Sequence, residues 1–201
     1  MLVAPAGSTV GLIISAGPYD LESNAGDGTA ENPYQIATAG QLLALADHPE
    51  VWSDCFVLTD DIGLFGRLFN RALIAPDEED GWAEVRFQGT PFTGQFDGAG
   101  HTIHHLTIVG SRNDCLGLFG KIGEDARVSN LRLDGVRIIG DERSVCTGSI
   151  AGHLEGALVG CHVQGLVRGG EQTGALVGLN EGTLTDCSSD VVVHAPPDYG
   201  R

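Results

Sequence analysis

Four short stretches of this chain superimpose on one another, and that repetition constrains the fold more than any other feature. They are GHTIHHLTI (100–108), DARVSNLRL (125–133), EGALVGCHV (155–163) and EGTLTDCSS (181–189). Each has an apolar fourth residue: Ile103, Val128, Leu158 and Leu184, spaced 25, 30 and 26 apart. Three positions further on stand Leu106, Leu131, Cys161 and Cys187. A second set interleaves, with GLFG (117–120), GSIAG (148–152) and GALVG (174–178) each setting an apolar pair before a glycine. Units of this length, built of short apolar runs and glycine turns with no helical period, fit one coil of a parallel β-helix. The expected architecture is therefore an all-β, right-handed parallel β-helix, or solenoid.

In such a tube equivalent residues stack one coil above another at about 4.8 Å. The reading places two columns inside: Ile103, Val128, Leu158 and Leu184, and Leu106, Leu131, Cys161 and Cys187. His104, Ser129, Val159 and Thr185 then point outward, because side chains alternate along a strand. A leucine-rich repeat would need a shorter L-x-x-L-x-L period, which is missing. The 30 glycines argue against helical repeats, since each costs about 1 kcal/mol in a helix interior.

The coil pattern is strongest over 92–193, and the domain is expected over 26–193. Before it, 1–25 reads as an N-terminal strand or linker. Residues 2–17 are apolar and uncharged but lack the basic start of a signal peptide, and small residues and proline interrupt them too often for a membrane span. Thr38 and Gln41 form a capping-box pattern ahead of Leu42, Leu45 and Ala46, so 38–48 is the one expected helix, a lid over a raw solenoid edge. A strand follows at Cys55–Leu58, and 63–91 reads as an irregular insertion. Residues 194–201 read as a linker, so the far end has no lid; the reading expects the chain to continue or to pack on something there.

Charge narrows the partners. Asp and Glu number 27 against 11 Lys and Arg, a net charge of −16. Such a surface repels phosphate backbones and anionic headgroups, which excludes nucleic acid and membrane insertion from the expected functions. Lys121 is the single lysine, leaving one candidate for amine chemistry, in a glycine-flanked turn.

The repeats resemble the GLUG motif of bacterial secreted and adhesin-like proteins. GALVGLNEGTLTDC (174–187) follows its pattern nearly throughout, with Asp186 in place of the usual asparagine, and the 148–161 copy is looser. Upstream, GDGT (26–29) with NPY (32–34), FVLTDDI (56–62) and FTGQFDG (92–98) with GHTI (100–103) are similar to segments that accompany such repeats. The resemblance spans roughly 26–190. It implies a pectin-lyase-like solenoid on an exported, often multidomain protein, in the company of adhesins and immunoglobulin-A-protease-type peptidases, where it serves as scaffold.

Candidate chemistry is thin. His101, His104 and His105 invite a metal reading, but on a strand 101 and 105 share one face and 104 takes the other. No H-E-x-x-H is present. A polysaccharide lyase would need clustered carboxylates with a basic residue; Asp97, Asp134 and Asp186 with Arg132 and Arg137 form no obvious column. The run Asp77, Glu78, Glu79 and Asp80 is a weak Ca²⁺ candidate, more simply a solvated loop. Cys161 and Cys187 read as stacked core thiols, and Cys115 with Cys146 as the better disulfide candidate, in loops before neighbouring strands. Tyr34, Trp52, Trp82 and Tyr199 are too scattered for a sugar platform. The expected function is a non-catalytic extracellular or cell-surface scaffold or adhesion module, part of a larger protein, with neighbouring domains, another protein or a glycan as partners. No cofactor is expected beyond loosely bound Ca²⁺. The alternatives are a carbohydrate-active β-helix enzyme and a carbohydrate-binding module.

Overall fold

The computed structural model describes residues 25–78, 87–110, 115–142 and 144–195. Every strand pairing among them is parallel, so the chain is a parallel β-solenoid. Three successive coils each contribute a strand to four faces. In chain order the first face stacks Cys115–Leu116, Cys146–Thr147 and Gln172–Thr173. The second stacks Phe119–Ile122, Ala151–Leu154 and Val177–Asn180. Arg127–Ser129, Ala157–Val159 and Thr183–Thr185 make the third, and Arg132–Ile139, His162–Arg168 and Ser188–His194 the fourth. The third and fourth faces extend further toward the N-terminus, to six and five strands along their main paths.

The columns of the sequence reading hold on these coils with one correction. Val128, Leu158 and Leu184 are in register on the third face. Ile103 is not below them; it pairs with Leu133 on the fourth face, and Phe96 occupies the place below Val128. The full column runs Tyr34, Phe56, Phe96, Val128, Leu158, Leu184. The shift has a simple cause. Two residues, Asn130 and Leu131, separate the third face from the fourth on that coil, but four, 98–101, do so on the coil beneath. Leu106 moves with Ile103: its neighbour Thr107 pairs with Arg137, which sets Leu106 beside Val136 rather than Leu131. Both are fully buried, so their inward orientation stands while their face changes. Leu131, Cys161 and Cys187 remain equivalent, each immediately before the in-register residues Arg132, His162 and Ser188.

The corner between third and fourth faces also explains a feature of the motif. Asn130, Gly160 and Asp186 occupy it with φ of 51°, 63° and 53°. This left-handed region is open to glycine and, among other residues, most readily to Asn and Asp. Close approach accounts for the glycines of the second face. A Cβ on Gly152 would come 2.7 Å from the Cys115 Cα, and one on Gly178 would come 2.4 Å from the Thr147 backbone nitrogen.

The N-terminal end is closed. The helix spans Ala39–Ala46, with Thr38 as its N-cap: the Thr38 hydroxyl accepts from the Gln41 N–H at 3.2 Å, and Gln41 Oε1 accepts from the Thr38 N–H at 3.0 Å. Leu42 and Leu45 drop into the core, and the Trp52 indole N–H donates to the Leu45 carbonyl at 2.9 Å. Beneath this lid the interior is aromatic, with Phe92 and Phe119 rings 5.1 Å apart and Phe96 edge-on to Phe119 at 5.7 Å. The stretch read as an insertion belongs in part to this half. Leu64, Leu73, Ile74 and Ala75 are buried, and Phe69 and Ile74 bridge to Ile108 and Phe119. Residues 79–86 lie outside the described residues, as do 1–24 and 196–201.

Among the described residues the C-terminal end carries no lid. Gln172–Thr173, Val177–Asn180, Thr183–Thr185 and Ser188–His194 are each the last strand of their sheet. Leu184, in a column otherwise sealed, is 38% exposed, and Val192 is 57% exposed.

Candidate functional site

Polar chemistry on a solenoid is set by which outward residues the register stacks. On the second face Lys121, His153 and Leu179 form one outward column. The corner that follows carries Glu155 on one coil and Glu181 on the next, each donating its N–H to the coil before, to Ile122 and Leu154 carbonyls, at 2.8 Å. Coil stacking therefore sets two carboxylates beside an imidazole. His153 Nε2 lies 2.7 Å from Glu181 Oε2 and 3.8 Å from Glu155 Oε1, and Lys121 Nζ lies 2.7 Å from Glu155 Oε1. The ligand atoms of His153, Glu155 and Glu181 all fall within 4.8 Å of one another. His153 is buried although it faces outward, because Lys121, the glutamates and the coil above cover it. Lys121 also lies 5.7 Å from the Phe87 ring centroid. This is the group of His, Cys, Asp or Glu side chains, among the described residues, whose donor atoms converge closely enough to hold a cation.

The sequence reading did not pick out this cluster. Its trace was visible all the same: the third and fourth superimposed stretches both begin with glutamate, which is the Glu155–Glu181 stack.

The candidates that it did pick out are dispersed. His101 Nδ1 faces Asp61 Oδ1 at 3.4 Å, His104 Nδ1 faces Asp134 Oδ2 at 3.1 Å, and His105 packs on the Phe65 ring at 4.3 Å. The three histidines thus go to three different partners. Asp61 also accepts from the Thr102 N–H at 2.8 Å, and that backbone bond, helped by His101, holds its carboxyl below the usual aspartate range. Asp97 accepts from the Ala99 N–H and the Asn130 amide, bracing a turn. Asp186 is a left-handed corner residue and Asp134 lies on the fourth face, so these carboxylates do not assemble with Arg132 and Arg137 into one site.

Asp77 departs from the solvated-loop picture. It is buried, and its Oδ1 accepts from the Gln88 N–H at 3.0 Å. Glu78 is exposed, and Glu79 and Asp80 lie outside the described residues. Tyr34 and Trp52 are core residues, so they offer no sugar platform; Trp82 and Tyr199 lie outside the described residues.

Cys115 and Cys146 are not in loops. They are buried, in-register partners of neighbouring strands on the first face, and no disulfide joins any of the described cysteines. The Cys146 thiol donates to Gln172 Oε1 at 3.2 Å. Burial pushes the Cys161 thiol up to about 11, which keeps it neutral inside the tube.

Fold and cluster together define a parallel β-solenoid with a polar cluster that runs from Lys121 on one coil through His153 and Glu155 on the next to Glu181 on the last. No helix of the described residues is long and apolar enough to cross a membrane. No family model matches the chain. The chain is 31% identical over 173 residues, 83% of its length, to halomucin of Haloquadratum walsbyi, of which it spans 2%. It is 32% identical over 133 residues, 66% of its length, to a candidate Gly-rich membrane protein of Evansella cellulosilytica, of which it spans 14%. Among solved structures it is similar to a candidate immunoglobulin A1 protease from Bacteroides ovatus, at 15% identity and a TM-score of 0.39, covering 85% of this chain and 79% of that one.

Proposed function

We propose that this chain is a non-catalytic scaffold or adhesion module of an extracellular or cell-surface protein, a GLUG-type coil domain of pectin-lyase-like architecture. The observation that carries this reading is the inequality of its ends. One is sealed by a capped helix; the other, among the described residues, presents four unpaired strand edges around an exposed Leu184. Unpaired edges of this kind template further pairing, and solenoid units gain stability chiefly from stacking on neighbours. A neighbouring unit of a longer protein suits that surface, and another protein on the flanks suits an adhesive role. The small share of each sequence relative that the chain spans supports a module reading.

The test is incubation with pectin, alginate and related acidic polysaccharides, read by release of new chain ends, alongside retention on the same immobilised polymers. Neither product nor retention is expected. Product would overturn the non-catalytic reading in favour of a carbohydrate-active enzyme. Retention without product would replace the scaffold reading with a carbohydrate-binding module.

A further inference from the structure

We propose that His153, Glu155 and Glu181 form a binding site for a divalent cation of the Zn²⁺ class, which pins the last coil to the one before it. The three donors ride on backbone whose register is fixed by coil-to-coil hydrogen bonds, so the arrangement does not depend on flexible loops. Their ligand atoms already lie within 4.8 Å of one another. Tetrahedral coordination with bonds of about 2.1 Å places ligand atoms about 3.4 Å apart. To reach it, the 2.7 Å contact of His153 with Glu181 opens slightly and the 3.8 Å contact with Glu155 closes.

The donor set selects the ion. One imidazole nitrogen with two carboxylates suits zinc and its transition-metal neighbours, whereas Ca²⁺ takes six to eight oxygen ligands. With three protein ligands, a water fills the fourth position. Lys121 sets the affinity. Its ammonium lies 2.7 Å from Glu155 Oε1 and repels an incoming cation while neutralising one of its ligands. The occupied site is therefore expected to push Lys121 aside, toward the Phe87 ring that it already faces. Because His153 and Glu155 belong to one coil and Glu181 to the next, the bound ion bridges coils near the open end.

The experiment is calorimetric titration of the whole chain with ZnCl₂ under reducing conditions, with thermal melts in parallel. Wild type is expected to bind saturably and melt higher, with no such shift from CaCl₂ or MgCl₂. Glu181→Gln and His153→Asn are expected to lose affinity at least about tenfold. Lys121→Met is expected to bind several-fold more tightly. The chain has other histidines and thiols, so NMR of the imidazole resonances reads the site in unmodified protein: His153 should shift before His101, His104 or His105. The proposal is overturned if wild type does not bind zinc, if both ligand variants bind as wild type does, or if His153 shifts last. Variants that fail to fold leave the imidazole measurement to decide it.

Discussion

The two ends of the tube use equivalent positions and reach opposite outcomes. In one column Tyr34, at the lidded end, is buried while Leu184, at the other end, is 38% exposed; in another, Leu131 of a middle coil is wholly buried while Cys187 of the last is only half-buried. Local sequence does not account for this, because the residues are apolar at both ends. What differs is the neighbour. The first end has a helix, Trp52 and an aromatic stack over it, and the last coil has nothing among the described residues above it. In a stacked fold, burial belongs to the position in the stack as much as to the residue.

Substitution along one column tests that contrast most severely. Leu131→Asp strands a carboxylate in the interior, at a cost of roughly 3–5 kcal/mol, and is expected to unfold the domain. Cys187→Asp, in the same column at the open end, is expected to cost about 1 kcal/mol or less because water reaches it. Urea unfolding midpoints compare the two. Equal losses would mean that the last coil is as well sealed as the middle one.

A smaller effect probes the lid. Thr38→Ala removes an N-cap and half of a reciprocal pair with Gln41, and should lower stability by about 1 kcal/mol, read by the same unfolding curves. A change within error would show that helix capping contributes little to closing the end.

A further effect lies at alkaline pH. The Cys161 thiol is raised by burial from 9.0 to about 11, so the folded state resists losing its proton longer than the unfolded state does. The associated stability is present in full below the unfolded value and is lost as pH climbs through the folded one. Thermal midpoints of wild type should therefore fall between pH 9 and 11, and those of Cys161→Ala should fall less. Parallel curves would mean that the Cys161 storey is wetter than its burial indicates.

Much of the architecture was legible because the solenoid writes its period into the chain. Val128, Leu158 and Leu184, and Leu131, Cys161 and Cys187, follow the spacing with a regular two-residue corner. Ile103 and Leu106 did not, because four residues replace two at the preceding corner and the resemblance of letters hides a change of face. The helix was legible because a capping box is local chemistry, complete within Thr38 and Gln41. Cys115 and Cys146 were misplaced in loops since a two-residue strand leaves no alternation to detect. The cluster of His153, Glu155 and Glu181 was out of reach for a different reason. Inward columns repeat their chemistry from coil to coil, whereas an outward column does not: Lys121, His153 and Leu179 share a register and nothing else. Once the register is known the cluster follows from it.

The left-handed corner at Asn130, Gly160 and Asp186 has a consequence for how such proteins diversify. The alphabet tolerated there is short, yet it contains a neutral amide, an anion and a bare backbone. Exchanges within it redraw the charge along one edge of the tube while the left-handed backbone stays accessible, although at Asn130 they also remove the amide bond that braces Asp97. That edge is a strip whose charge can drift across generations at small cost to the backbone.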